Sequence, residues 1–163
     1  MRWSLVLASA TLAGCVQTSA LPLTNDTVQI LGHAAPVCGA AGAQNVAFAR
    51  AAVETLRGGF DKFVIVEAAA QNNVRIIGRT PMTAQTYGTA TVFDGGGMAT
   101  GFGQSTTYYS GGQPIVGGTH DQGLVVHMFK AGEAGAANAI DARRVLGRDW
   151  RQVVQDGVGS TCG

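Results

Sequence analysis

The sequence predicts an α+β fold: a small antiparallel sheet packed by two or three helices, with a long Gly/Thr-rich insert. Three observations predict it. Val46, Ala49, Val53 and Leu56 recur at steps of three and four, the period of one helix face. Phe63-Val64-Ile65-Val66 is a short apolar run, and Leu124, Val126 and Met128 alternate with Val125, His127 and Phe129, as strands do. Between these strands, the 41 residues Thr80 to His120 hold ten glycines, eleven serines or threonines and a single charge, Asp94.

The elements follow in order. Thr27 to Leu31 is a β-rich run and the expected first strand. Gly32 to Gly42, with Pro36 and Cys38, reads as a loop. Gln44 to Arg57 is the expected first helix, stopped by Gly58-Gly59 because glycine supplies the left-handed conformation a helix end favours. Phe60 to Ala69 is the next strand. Gln71-Asn72-Asn73 reads as a turn, after which Val74 to Ile77 would pair back as a hairpin. The insert admits two readings. One is a binding surface carrying Tyr87, Phe93, Phe102, Tyr108 and Tyr109. The other, which the scarcity of aliphatic groups favours, is two weak strands near Thr86–Phe93 and Thr106–Tyr109 around a flexible tip. Its glycine clusters lack the Lys-Ser/Thr ending of a phosphate loop. Gly123 to Lys130 is the last strand. Ala139, Ala142, Leu146, Trp150 and Val153 then share one helical face, with Gly147 read as a kink and the neighbouring arginines as a solvated face.

Composition excludes some functions. The chain has 163 residues, 13% of them charged, and a formal net charge of +1. No basic field exists to bind nucleic acid by counterion release. No apolar run reaches the length of a spanning helix.

The N-terminus carries the clearest signal. Met1-Arg2-Trp3 is followed by an uncharged stretch ending Leu12-Ala13-Gly14-Cys15. This resembles the lipobox of bacterial lipoproteins, and it is favoured over an ordinary secretory cut after Ala20. The resemblance implies a signal peptide at 1–14, lipid on Cys15, a tether through residue 25, and one periplasmic domain over 26–163 with the insert at 80–120. Two or three acyl chains hold stably where one holds marginally. Val16 follows Cys15 where retained enteric lipoproteins carry an acidic residue, which implies the periplasmic face of the outer membrane.

With Cys15 assigned to lipid, Cys38 and Cys162 remain as an even pair in an oxidising compartment, and a disulfide is expected. The rival reading, a thiol or metal site of Cys38 with His33, His120 or His127, has no CxxC, HxxxH or HExxH spacing behind it. No cofactor or metal is expected. An envelope hydrolase using His120 and His127 is the weakest alternative: the chain has three histidines and no GxSxG. The favoured expectation is a non-catalytic scaffolding or binding role. The alternative is a recognition module that binds a protein or polysaccharide through the insert, with Tyr87, Phe102, Tyr108 and Tyr109 as the surface.

Two further stretches carry a family resemblance. Arg50-Ala51-Ala52-Val53-Glu54-Thr55-Leu56-Arg57-Gly58-Gly59-Phe60-Asp61-Lys62-Phe63-Val64-Ile65-Val66 and Asn138-Ala139-Ile140-Asp141-Ala142-Arg143-Arg144-Val145-Leu146 resemble the RAAExTxxxGFDxFxVV and NAxDARxVL segments of a family of small bacterial envelope lipoproteins of unassigned function. The resemblance transfers no catalytic residue. Read physically as scaffold, the first motif turns an amphipathic helix onto the strand after it, and the Asp-Ala-Arg unit of the second is expected to link its helix to a neighbouring segment through a charge pair.

Overall fold

A computed structural model describes residues 15–94, 99–159 and 162, and the side chains of 92–102 fall outside that description. The expected signal peptide at 1–14 and the tip at 95–98 also lie outside it. In chain order the elements are β1 (Val16–Pro22), β2 (Thr27–Ala34), α1 (Gly39–Arg57), β3 (Lys62–Asn72), β4 (Arg75–Arg79), β5 (Thr83–Asp94), β6 (Ala99–Ser110), β7 (Pro114–Gly117), β8 (His120–Phe129), β9 (Ile140–Asp141), α2 (Ala142–Leu146) and α3 (Trp150–Asp156). Short 3₁₀ turns precede α1 and β9. The class is α+β, and the chain divides into two compact units, one ending at Val74 and resuming at Gly118, the other Arg75–Gly117.

The first unit is a five-stranded sheet in the order β1-β2-β8-β3-β9, every neighbour antiparallel, with α1 on one face. Alternation sets that face. Val28, Ile30, Gly32 and Ala34 of β2, and Leu124, Val126 and Met128 of β8, are buried toward the helix, while the residues alternating with them are not. The helix answers with small side chains: Ala43, Ala47, Ala51 and Thr55, at steps of four, are buried with Val46 and Val53. The Thr55 hydroxyl donates to the Ala51 carbonyl at 2.8 Å, so its polar atom is satisfied inside the helix. Close approach follows. A Cβ on Gly32 would meet the Ala43 carbonyl oxygen at 2.9 Å and the Ala47 Cβ at 3.0 Å. Phe63 fills the centre, with Phe48 edge-on at 5.5 Å.

Several expectations need correction. Val16–Pro22 is a strand rather than a tether: Val16 is buried, Thr18 and Ala20 are half-buried, and the alternation is visible once the uncharged stretch is read at a period of two. The first expected strand is therefore the second, and it continues to Ala34. The glycine- and alanine-rich segment read as a loop is partly helical, because α1 begins at Gly39. Gly42 is buried there, and a Cβ on it would meet Cys38 Cβ at 2.8 Å. Val74–Ile77 does not fold back on the preceding strand. β3 pairs with β8, and Arg75 and Ile76 pair with Gly117 and Val116. Gly147 breaks the last helical segment outright at φ 76°, and Ile140–Asp141 pair with Phe63 and Lys62 before α2 starts. Ile65, in the middle of the apolar run, is exposed, and Trp150 is partly exposed. Arg143 and Arg151 stack on Trp150 at 5.3 and 4.6 Å.

Cys38 and Cys162 form a disulfide, Cα to Cα 5.1 Å, across 124 residues. It ties the chain's end to the start of α1.

The second unit is two hairpin-like pairs, β4 with β7 and β5 with β6. β5–β6 pairs continuously from Thr83 opposite Ser110 to Asp94 opposite Ala99, so the strands run well beyond the two short ones expected. Threonine explains the extension, since β-branched side chains suit the pleat and their hydroxyls bond across it. Thr86 and Thr107 share a hydrogen bond of 2.8 Å, and Thr83 and Ser110 one of 2.9 Å.

Two outcomes test this packing. Gly32→Ala pushes a methyl into the α1 backbone and should lower unfolding free energy by about 1–3 kcal/mol in urea titrations. Replacing Cys38 and Cys162 together by serine should cost about 2–5 kcal/mol on the same measure, and should abolish the mobility difference between reduced and unreduced protein on electrophoresis.

Candidate functional site

Each chemically able side chain can be placed from its element upward. Cys15 immediately precedes β1. It is exposed, its thiol is unbonded, and its carbonyl accepts from Ala35 N–H at 2.8 Å, which fixes its backbone against the end of β2. Among the described residues no helix is long and apolar enough to cross a membrane.

The histidines do not converge. His120 and His127 lie seven residues apart on β8, roughly 23 Å at the strand rise. His127 Nδ1 is 3.1 Å from the Thr27 hydroxyl and 3.7 Å from an Asp26 carboxylate oxygen. With Asp26, Phe129 and Glu133 it lines one shallow hollow. Asp121 turns instead to His33, whose Nδ1 lies 2.8 Å away on β2. Asn73 also donates to Asp121. The His33, Thr119 and Asn73 hydrogen bonds together hold the Asp121 carboxyl below its ordinary value of 3.8, His33 contributing most. This His33–Asp121–Asn73 group was not legible in the sequence, because it depends on the register that sets His33 opposite Asp121. It borders a hollow of about 360 Å³ floored by Leu31, Ala69 and Gly123. The lining holds no serine, no cysteine and no second carboxylate. Among the described residues no three His, Cys, Asp or Glu side chains are grouped to hold a metal ion.

The two motif stretches meet in space. Asp61, after α1, accepts from Arg143 Nη2 at 2.7 Å and from Ala131 N–H at 3.0 Å. Its backbone carbonyl accepts from Ala142 N–H at 3.0 Å. Asp141 caps α2 by accepting from Arg144 N–H at 3.0 Å. The charge pair is a scaffold contact that joins the helix–Gly-Phe-Asp turn to the Asp-Ala-Arg turn.

The aromatic surface lies on β5 and β6. Tyr87, Tyr108 and Tyr109 are 64%, 63% and 72% exposed. Pairing of Gln85 with Tyr108 and Tyr87 with Thr106 gathers Tyr87 and Tyr108 on one face, ring centroids 6.3 Å apart, and the Tyr87 hydroxyl donates to Gln85 Oε1. Tyr109, opposite Ala84, is on the other face. Position 102 pairs with Thr91, in the same alternate set as 108; the Phe102 side chain is outside the described residues. The arrangement offers flat aromatic contact area with hydroxyl tips. Comparisons with protein-family models, curated proteins and solved structures give no match.

Asp61 supports a pH prediction. The Ala131 amide, foremost, and then Arg143 hold its carboxyl below 3.8 in the folded chain. The unfolded chain therefore takes up a proton first as acid is added. The stabilisation is complete above the unfolded value and lost as pH falls through the folded one. Asp61→Asn should be less stable at neutral pH and should lose less stability than wild type below about pH 4, in urea midpoints measured across that range.

Proposed function

We propose that this chain is a lipid-anchored cell-envelope protein, held through acylated Cys15 on the periplasmic face of the outer membrane, with a non-catalytic scaffolding or binding role. The anchor rests on Leu12-Ala13-Gly14-Cys15 and on the exposed, unbonded thiol at the head of β1. The Cys38–Cys162 disulfide is consistent with an oxidising compartment.

The observation that carries the binding role is the ribbon β5–β6. It presents Tyr87, Tyr108 and Tyr109 to solvent, and no buried core residue belongs to 75–117 among the described residues. Tyrosine supplies large rigid contact area with a hydrogen-bonding tip and little entropy to lose, which suits recognition of a protein or a polysaccharide.

Membrane partition tests the anchor. Wild type should sediment with membranes and yield an N-terminal acylated cysteine by mass spectrometry. Cys15→Ser cannot accept acyl chains and should shift from the membrane to the soluble fraction. Full retention of Cys15→Ser in the pellet would overturn the assignment.

A further inference from the structure

We propose that β5–β6 is a self-association element: its strand edges pair with the same ribbon of further copies of this chain. The proposal rests on reading the ribbon as the working surface, and it names the partner.

Two-stranded ribbons expose a row of unpaired N–H and C=O groups on each outer edge. Proteins normally blunt such edges with short strands, lysine, proline, bulges or a covering element. The other sheet edges of this molecule carry those devices. β9 is two residues long, and β1 ends at Pro22 after seven. β7 opens on Pro114, and β4 carries Arg75 and Arg79 with a register shift between Ile76 and Gly78. β5 and β6 carry none of them. Each is twelve residues long, their register runs without a shift, and neither contains Lys, Arg or Pro. Neither pairs with any other strand among the described residues. The one charge, Asp94, is at the tip end. The absence of protection is thus confined to the longest edges in the molecule.

Self-pairing is the match these edges make best. A lone two-stranded ribbon without a buried face is marginal in water and gains from added strands. A second copy brings an edge of equal length and near-zero charge, so no like-charge row opposes the approach. Antiparallel pairing of one strand with its own copy is also self-complementary, as a two-fold interface requires. One pairing leaves the opposite edge of each ribbon open, so association continues past the dimer or closes as a ring.

The test is sedimentation of purified protein in detergent, with the full-length Cys15→Ser chain run beside it without lipid. Wild type should sediment as two or more protomers. Assembly of Cys15→Ser as well shows the association to be independent of the anchor, so failure of the lipid reading does not carry this one with it. Thr89→Lys with Thr107→Lys, positions not opposite one another, places one charge on each strand and should return the protein to a single protomer with its disulfide intact. Should that variant misfold, Ser105→Cys provides the second readout: mild oxidation should cross-link copies through β6. A wild type that stays monomeric overturns the proposal, as does undiminished assembly of the folded lysine variant or failure of Ser105→Cys to cross-link.

Discussion

The first unit depends on how near α1 can come to the sheet. Gly32 supplies the space and Ala43, Ala47 and Ala51 use it, so helix backbone approaches strand backbone through small side chains rather than large ones. The approach brings Phe63, Ile30, Val53 and Val126 into a fully buried centre. Were the seam opened by one methyl, each of these would lose contacts on its helix side, and dispersion falls steeply with such gaps. The position of α1 in turn sets where Asp61 emerges, and so where Arg143 finds it.

That chain of dependence explains why the two motif stretches, far apart in sequence, read as one device. α1 ends at Gly58-Gly59, Phe60 turns the chain, and Asp61 donates its amide to Phe129 while its carboxylate takes the Ala131 amide and Arg143. Four segments are fastened at one residue. The Cys38–Cys162 bridge fastens the opposite end of α1 to the chain's end. The helix is thereby held at both termini by contacts it does not itself contain.

Much of this was legible. The stripe through Val46 and Val53, the runs at Phe63–Val66 and Gly123–Lys130, and the cysteine remainder lead to α1, β3, β8 and the disulfide, because period and parity are local properties of the chain. β1 was missed because its alternation uses Val16, Thr18 and Ala20, too weakly contrasted with Gln17 and Ser19 to register. The start of α1 was missed because Gly39 and Gly42 oppose helix propensity, and packing around Cys38 overrides it. At the candidate site, Cys15 and the tyrosines were legible as residue types. The His33–Asp121 contact was not, since nothing in either strand announces which residue it will face across the pair.

The ribbon is separate in its strand pairing. It leaves the first unit after β3 and returns into β8, two strands that pair with each other up to Asn72 opposite His120. An excursion between paired neighbours starts and ends at nearly one point, so it imposes little on the sheet it interrupts. The buried core, as described, takes no side chain from it. The run of Thr, Gly, Ser, Gln and Tyr in β5 and β6, with the single charge Asp94, therefore needs another explanation. Threonine and tyrosine favour the extended pleat, and the paired hydroxyls of Thr86 and Thr107 hold the register without apolar burial. Such a composition maintains strand geometry while leaving both edges able to hydrogen-bond, a combination that serves association better than it serves the stability of one chain.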